Sequence, residues 1–331
     1  MRSTRRTTRA MAVAVALGFA LAACSSQGGA QEETGGGGGG TGGSVDTERF
    51  SVAMITHEAP GDSFWDKIRA GAEDAAAAHN IELRYSNNAE APEQATLVQN
   101  AVDSQVDGIA VTLAYANQVG PAAQAAATGG IPVVAFNSGI DQYEQYGAME
   151  YFGSDENLAG RTAGQRIAEA GGQKTICIIQ EQGSVALEAR CAGVAQGTTT
   201  ENLQVEGTDL PSVRSTIGAK LQQDPSITHI VTLGAPIALA ALEAKGDTGS
   251  QAEVVTFDLN ADVAQRIQDG DIAFSIDQQP YVQGYMAVAA MWLYLTNGND
   301  IGGGGPVLTG PSFVDSSNIE QIVPYAQNNT R

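Results

Sequence analysis

Cysteine and histidine are scarce in this chain of 331 residues, three of each, so a centre that needs four nitrogen or sulfur ligands has little to be built from. Basic residues are scarce too. Lys and Arg number 17 against 37 Asp and Glu, a formal net charge of -20, and a protein of that sign opposes phosphate backbones, so nucleic acid is not an expected partner. Charged residues make up only 16% of the chain and hydrophobic ones 43%, which excludes a disordered polyelectrolyte and supplies material for real cores. Catalytic signatures are missing as well: there is no Gly-x-Ser-x-Gly elbow, no Gly-x-x-x-x-Gly-Lys loop and no Cys-x-x-Cys pair. Asp258 to Asp262 imitates the start of a calcium loop, but Val263 stands where that loop needs glycine for its sharp turn. Neither a metal nor a cofactor is expected.

What is present first is an address. Arg2, Arg5, Arg6 and Arg9, with no acid among them, precede an apolar stretch over 10–23 that is too short to span ~30 Å of hydrocarbon comfortably. Residues 1–23 are therefore expected to be an export signal. Leu21-Ala22-Ala23-Cys24 resembles the bacterial lipobox, which implies cleavage before Cys24 and acylation of that residue. Residues 24–49, rich in glycine and without large apolar side chains before Val45, offer nothing to offset the entropy of ordering and are predicted to be a flexible tether.

From Phe50 onward, short β-branched or aliphatic runs alternate with alanine-rich segments of helical period, the pattern of a parallel sheet covered by helices. Strands are predicted over 50–56, 81–85, 108–113, 132–136, 148–152, 175–180, 203–207, 229–233, 253–257 and 272–276. Helices are predicted over 63–79, 93–105, 117–128, 156–170, 212–223, 236–245 and 261–269, the first opened by a capping box of Ser63 and Asp66. Two successive sets of about five units point to an α/β protein with two similar doubly wound parallel sheets. Ligands of such sheets bind beyond the carboxyl ends of the strands, so the strand ends are where a site is sought.

The body from Phe50 to about Val323 resembles the ribose-binding-protein-like sugar-binding components of bacterial ABC importers, type I periplasmic binding proteins. The resemblance rests on several segments in order: Phe64-Trp65, Val106-Asp107-Gly108-Ile109, Gly130-Ile131-Pro132-Val133-Val134, Gly153-Ser154-Asp155-Glu156-Asn157, Glu188-Ala189-Arg190-Cys191, Val254-Val255-Thr256-Phe257-Asp258 and Ile276-Asp277-Gln278-Gln279-Pro280. It implies two lobes joined by a three-segment hinge, residues 50–152 plus 279–308 and residues 153–278 plus 309–331. It also implies a monomeric, lipid-anchored, extracytoplasmic receptor that hands a small sugar or polyol to permease subunits. Other readings are a sensory receptor of the same fold and an exported enzyme.

A sugar offers apolar C–H faces and a rim of hydroxyls, so its site wants aromatic plates and groups that both donate and accept. The resemblance carries ligand-binding roles onto Phe64, Trp65, Asn137, Arg190, Asp258 and Gln278. Two departures stand out: Asn137-Ser138 replaces an Asp-Arg pair, and Gly234 replaces an asparagine. His57, Glu58, Asp62, Thr112, Glu181 and Gln182, at strand ends, are further candidates to make up the lost contacts. The two cysteines left after Cys24 is acylated, Cys177 and Cys191, are candidates for a disulfide in an oxidising compartment, the alternative being two buried thiols.

Overall fold

The computed structural model describes residues 48–331. The signal 1–23, the acylation candidate Cys24 and all but the last two residues of the tether 24–49 lie outside the described residues.

The first units run β1 (Phe50–Thr56), α1 (Phe64–His79), β2 (Ile81–Asn87), α2 (Ala91–Asp103), β3 (Gly108–Val111), α3 (Ala116–Thr128), β4 (Val133–Phe136) and β5 (Glu150–Ser154). The second set runs α4 (Glu156–Glu169), β6 (Lys174–Ile179), α5 (Val185–Gly197), β7 (Thr199–Gln204), α6 (Leu210–Gln223), β8 (His229–Thr232), α7 (Ala235–Thr248), β9 (Glu253–Phe257), α8 (Ala261–Asp269) and β10 (Ile272–Asp277). The chain ends with α9 (Pro280–Asn297), β11 (Val307–Gly310), β12 (Ser312–Asp315) and α10 (Ile319–Gln327).

Among the described residues these strands form two six-stranded sheets of the same order, β2-β1-β3-β4-β5-β11 and β7-β6-β8-β9-β10-β12. Pairing is parallel except that β12 lies antiparallel to β10. The chain therefore crosses between sheets three times: after β5, after β10, and between β11 and β12. The central strands are covered on both faces, which is why β3, β4 and β8 are short runs buried at every position. The result is two lobes, each a sheet flanked by helices.

Glycines set how closely the helices approach. A Cβ at Gly160 on α4 would lie 2.0 Å from the Arg190 carbonyl oxygen on α5, and one at Gly193 on α5 would lie 2.3 Å from the Asn157 carbonyl oxygen. Gly164 and Gly197 extend that seam, so the backbones of α4 and α5 touch where any side chain would hold them apart.

Several expectations need correction. The segment predicted as a strand over 203–207 is displaced, because β7 spans Thr199–Gln204; it is a polar edge strand bonded only to β6, so no apolar run marks it, and Leu203 and Val205 instead pack on the core from its end. Helix α5 has no counterpart in the sequence reading. The capping box does not form: Ser63 makes no side-chain cap, and Asp62 instead accepts the Phe64 N–H at 3.0 Å. Cys177 in β6 and Cys191 in α5 are joined by a disulfide, with Cα atoms 5.8 Å apart.

Candidate functional site

Both lobes line one cleft of about 990 Å³ beyond the carboxyl ends of the strands. His57 follows β1, Asp62, Phe64 and Trp65 open α1, and Asn137 follows β4; from the other lobe come Glu181 after β6, Arg190 on α5, Gly234 before α7, Asp258 after β9 and Gln278 after β10. All of these line the cleft, as do Ser138 and Gln182. The lobes touch beside it, where the Val185 N–H at the start of α5 donates to the Ala114 carbonyl at 3.0 Å.

Two candidates lie elsewhere. Thr112 is fully buried behind His57, where its hydroxyl oxygen accepts the His57 backbone N–H at 3.2 Å and a Gln94 side-chain N–H at 3.1 Å. That oxygen also lies 2.7 Å from His57 Nδ1. With its acceptor capacity used, the hydroxyl donates to Nδ1, which leaves the imidazole proton on Nε2. Thr112 thus orients the ring instead of facing the cleft. Glu58 turns away as well and is held by Arg69 at 2.9 Å and the Tyr85 hydroxyl at 2.8 Å.

His57 packs edge-on to Trp65, with ring centroids 4.7 Å apart, and Trp65 packs edge-on to Phe64 at 5.2 Å. Trp65 is buried in the first lobe's core, whereas Phe64 is half-buried at the cleft wall. Burial first, then the Arg190 charge, pushes the His57 pKa down to about 3, so the imidazole is neutral. Its 3.8 Å approach to the Glu181 carboxylate across the cleft is therefore not an ion pair.

Arg190 is 3% exposed, and its partner is Glu156 rather than the solvent-facing Glu188. Its Nε and Nη2 donate to the two Glu156 oxygens at 2.6 and 3.0 Å, a planar fork-to-carboxylate match. Nη1 donates to the Leu233 carbonyl at 3.3 Å and lies 3.9 Å from an Asp258 oxygen. The guanidinium also lies over the Phe257 ring, 4.7 Å from its centroid.

A hydrogen-bonded chain joins the lobes at the hinge. Gln278 donates to Asp258 Oδ1 at 2.7 Å and accepts from Asn137 Nδ2 at 3.3 Å, while Asn137 Nδ2 also donates to Gln283 at 3.2 Å. Burial, opposed by Arg190, pushes the Asp258 pKa up to about 7. Burial and the neighbouring Asp62 do the same for Glu181, also to about 7.

The sequence reading missed Lys67, Tyr115 and Gln180, which also line the cleft. Lys67 lies three residues after Phe64, hence on the same helix face, and that spacing is the signal that could have found it. The Thr112 hydroxyl that donates to His57 is fully buried away from the cleft, and what faces the cavity is a surface of directed donors and acceptors.

Over residues 52–300 the chain matches the family described as periplasmic binding protein domain. It is similar to the structure of a carbohydrate transporter from Acidothermus cellulolyticus 11B in complex with myo-inositol, with 51% identity and a TM-score of 0.85 over 86% of this chain and 100% of that one. It is 26% identical over 300 residues to the xylose/arabinose-binding protein XylF of Sulfolobus acidocaldarius, covering 83% of this chain and 73% of the relative. A xylitol-binding protein of Mycolicibacterium smegmatis is 29% identical over 173 residues, 52% of this chain and 44% of that protein.

Proposed function

The chain belongs to the periplasmic binding protein domain family, and from that premise we propose that it is an extracytoplasmic lipoprotein that captures a small sugar or polyol between its lobes and delivers it to the permease of an ABC importer. It binds its ligand and is not an enzyme. The observation that carries this reading is the convergence of buried polar groups from both lobes on one cleft, with Gln278 at a crossing bonded to Asn137 on one side and Asp258 on the other. A ligand that contacts both sides has greater affinity for the closed form, and that difference drives closure.

In this reading Phe64 offers an aromatic face to the C–H side of a ring, while Asn137, Arg190, Asp258 and Gln278 meet its hydroxyls. The 51% identity to a protein bound to myo-inositol puts a cyclitol first among ligands to try, with pentoses and xylitol next. A thermal-shift and calorimetry panel of myo-inositol, D-xylose, L-arabinose, D-ribose and xylitol tests it, since a ligand of the native state alone raises stability by mass action. A panel without a binder would refute it. For the lipid anchor, Cys24→Ser is expected to release the protein from the membrane fraction into the soluble one; a variant still requiring detergent would exclude acylation at that residue.

A further inference from the structure

Lys67 is a charge the fold does not explain. It is 1% exposed, yet its ammonium reaches only one described hydrogen-bond acceptor, the Ser63 carbonyl at 3.4 Å. Among the described residues no carboxylate lies within 4.0 Å of it. The acids that act on it from farther away are Asp258, Asp62, Asp66 and Asp277. Two of them are already engaged: Asp258 holds Gln278, and Asp277 holds Arg331 at 2.6 Å and the Gln279 N–H at 2.8 Å. An ammonium carries three donors, and a buried charge is tolerated where its donors and its charge are met. Most of that capacity is open, and Lys67 lines the cleft.

Its place in the site is equally specific. The first lobe's other polar contributions at the buried end of the cleft are neutral: Asn137, Ser138 and the His57 imidazole. Arg190 supplies a cation from the second lobe, and Lys67 supplies the matching one from the first. We infer that Lys67 is a specificity-determining residue whose ammonium donates to two neighbouring hydroxyl oxygens of the ligand, so that the site selects a neutral ring or chain with vicinal hydroxyls at that end and rejects an analogue bearing an amine there. The inference rests on the sugar or polyol reading above. Arg190 is held by Glu156, and the cleft wall carries Asp62, Glu181 and Asp258 besides Lys67, so the acids are not outnumbered by cations and an anionic ligand is disfavoured. An amine at the same place would meet a like charge.

Titration calorimetry on the full mature chain tests this with the wild type, Lys67→Met and Lys67→Gln against the same panel. The monodeoxy and monoamino analogues of the ligand that binds are then measured. Lys67→Met is expected to weaken binding of the parent ligand at least tenfold, with Lys67→Gln, which keeps donors without charge, between it and the wild type. One or two deoxy analogues should lose affinity to the wild type but little more to Lys67→Met, the coupling that identifies the contacted oxygens. The ligand-free variant is expected to melt no lower than the wild type, because it loses a buried charge with few partners. Equal affinity of wild type and Lys67→Met for a confirmed ligand overturns the inference alone. So does a lowered ligand-free melting temperature with the same loss for every analogue, since that marks a structural lysine. A wild type that binds no member of the panel overturns the sugar or polyol reading, and the inference with it.

Discussion

Asn137 and Asp258 occupy the same place in the two lobes. Each follows the fourth strand of its lobe in chain order, each adopts a left-handed backbone, with φ of 64° and 65°, and each donates its N–H to the next strand, to Phe152 at 2.8 Å and Ile276 at 3.0 Å. Asn and Asp tolerate this conformation better than other residues with a side chain, and it folds the side chain back over the strand end into the cleft. The two side chains meet through Gln278. The cleft is thus built from one local device used twice, once neutral and once acidic.

The acidic copy makes the protein sensitive to pH. An acid whose pKa is raised in the folded state keeps its proton while the unfolded chain has lost its own, so stability falls as pH rises from the ordinary carboxylate range through about 7. Ligand-free protein is therefore expected to melt at a higher temperature at pH 5 than at pH 8. Asp258→Asn should make that fall shallower, as should Glu181→Gln, which acts with the same sign; His57, held neutral by burial, acts with the opposite sign below the ordinary imidazole pKa and remains in both variants. Affinity should run the other way. In the proposed binding mode the ionised Asp258 accepts ligand hydroxyls, so binding is expected to tighten through pH 7 in the wild type and to be weaker and flat in Asp258→Asn.

Arg190→Ala strands Glu156, a carboxylate 3% exposed, and is expected to cost about 3 to 5 kcal/mol of stability as well as ligand affinity. The double variant Arg190→Met/Glu156→Gln separates the two effects. Chemical denaturation should show most of the stability restored, while calorimetry should show affinity still lost; restored affinity would remove Arg190 from the site.

Phe64 and Trp65 should also part company. Trp65 is a core residue, so Trp65→Ala is expected to destabilise the fold by about 3 to 5 kcal/mol. Phe64→Ala should destabilise the free protein less than Trp65→Ala, since the ring is only half-buried, and weaken binding by about 1 to 3 kcal/mol through lost stacking.

The disulfide closes a loop with a sequence separation of 14, for which chain entropy gives about 3 kcal/mol. Mass measurement after alkylation without reduction is expected to find no free thiol at Cys177 or Cys191. The double serine variant should unfold earlier in denaturant and bind more weakly, because Cys191 adjoins Arg190 on α5.

Much of this fold was legible in the sequence where physics leaves a strong local mark. Phe50–Thr56 and Glu253–Phe257 are apolar, β-branched runs at the expected bounds, and Ala261–Asp269 has clean helical spacing with Asn260 capping it through the Val263 N–H at 2.8 Å. Helix α5 was not legible because its buried side includes Arg190 beside Cys191 and Gly193, so no apolar stripe distinguishes it. β7 lacked the mark as an exposed edge, and β11 and β12 because they are four residues each in a glycine-rich and proline-rich stretch. The aromatic pair, Asn137, Arg190, Asp258 and Gln278 were pointed to by the family resemblance, and all of them line the cleft. Lys67 was passed over because a lysine on a helix ordinarily faces water, and Thr112 was placed in the cleft because a strand end does not reveal which polar group stands behind another.

The seam of small residues between α4 and α5 has a thermodynamic consequence. Arg190 lends its own carbonyl to that seam, against Gly160, so its backbone cannot shift unless two helices separate. The guanidinium is thereby fixed within its own lobe, and in the proposed closure the freedom surrendered on binding is that of the angle between the lobes. A small neutral ligand has few atoms from which to draw affinity and gains most from a receptor that has little left to order. A single methyl group at Gly160 would therefore loosen binding from a position that never meets the ligand.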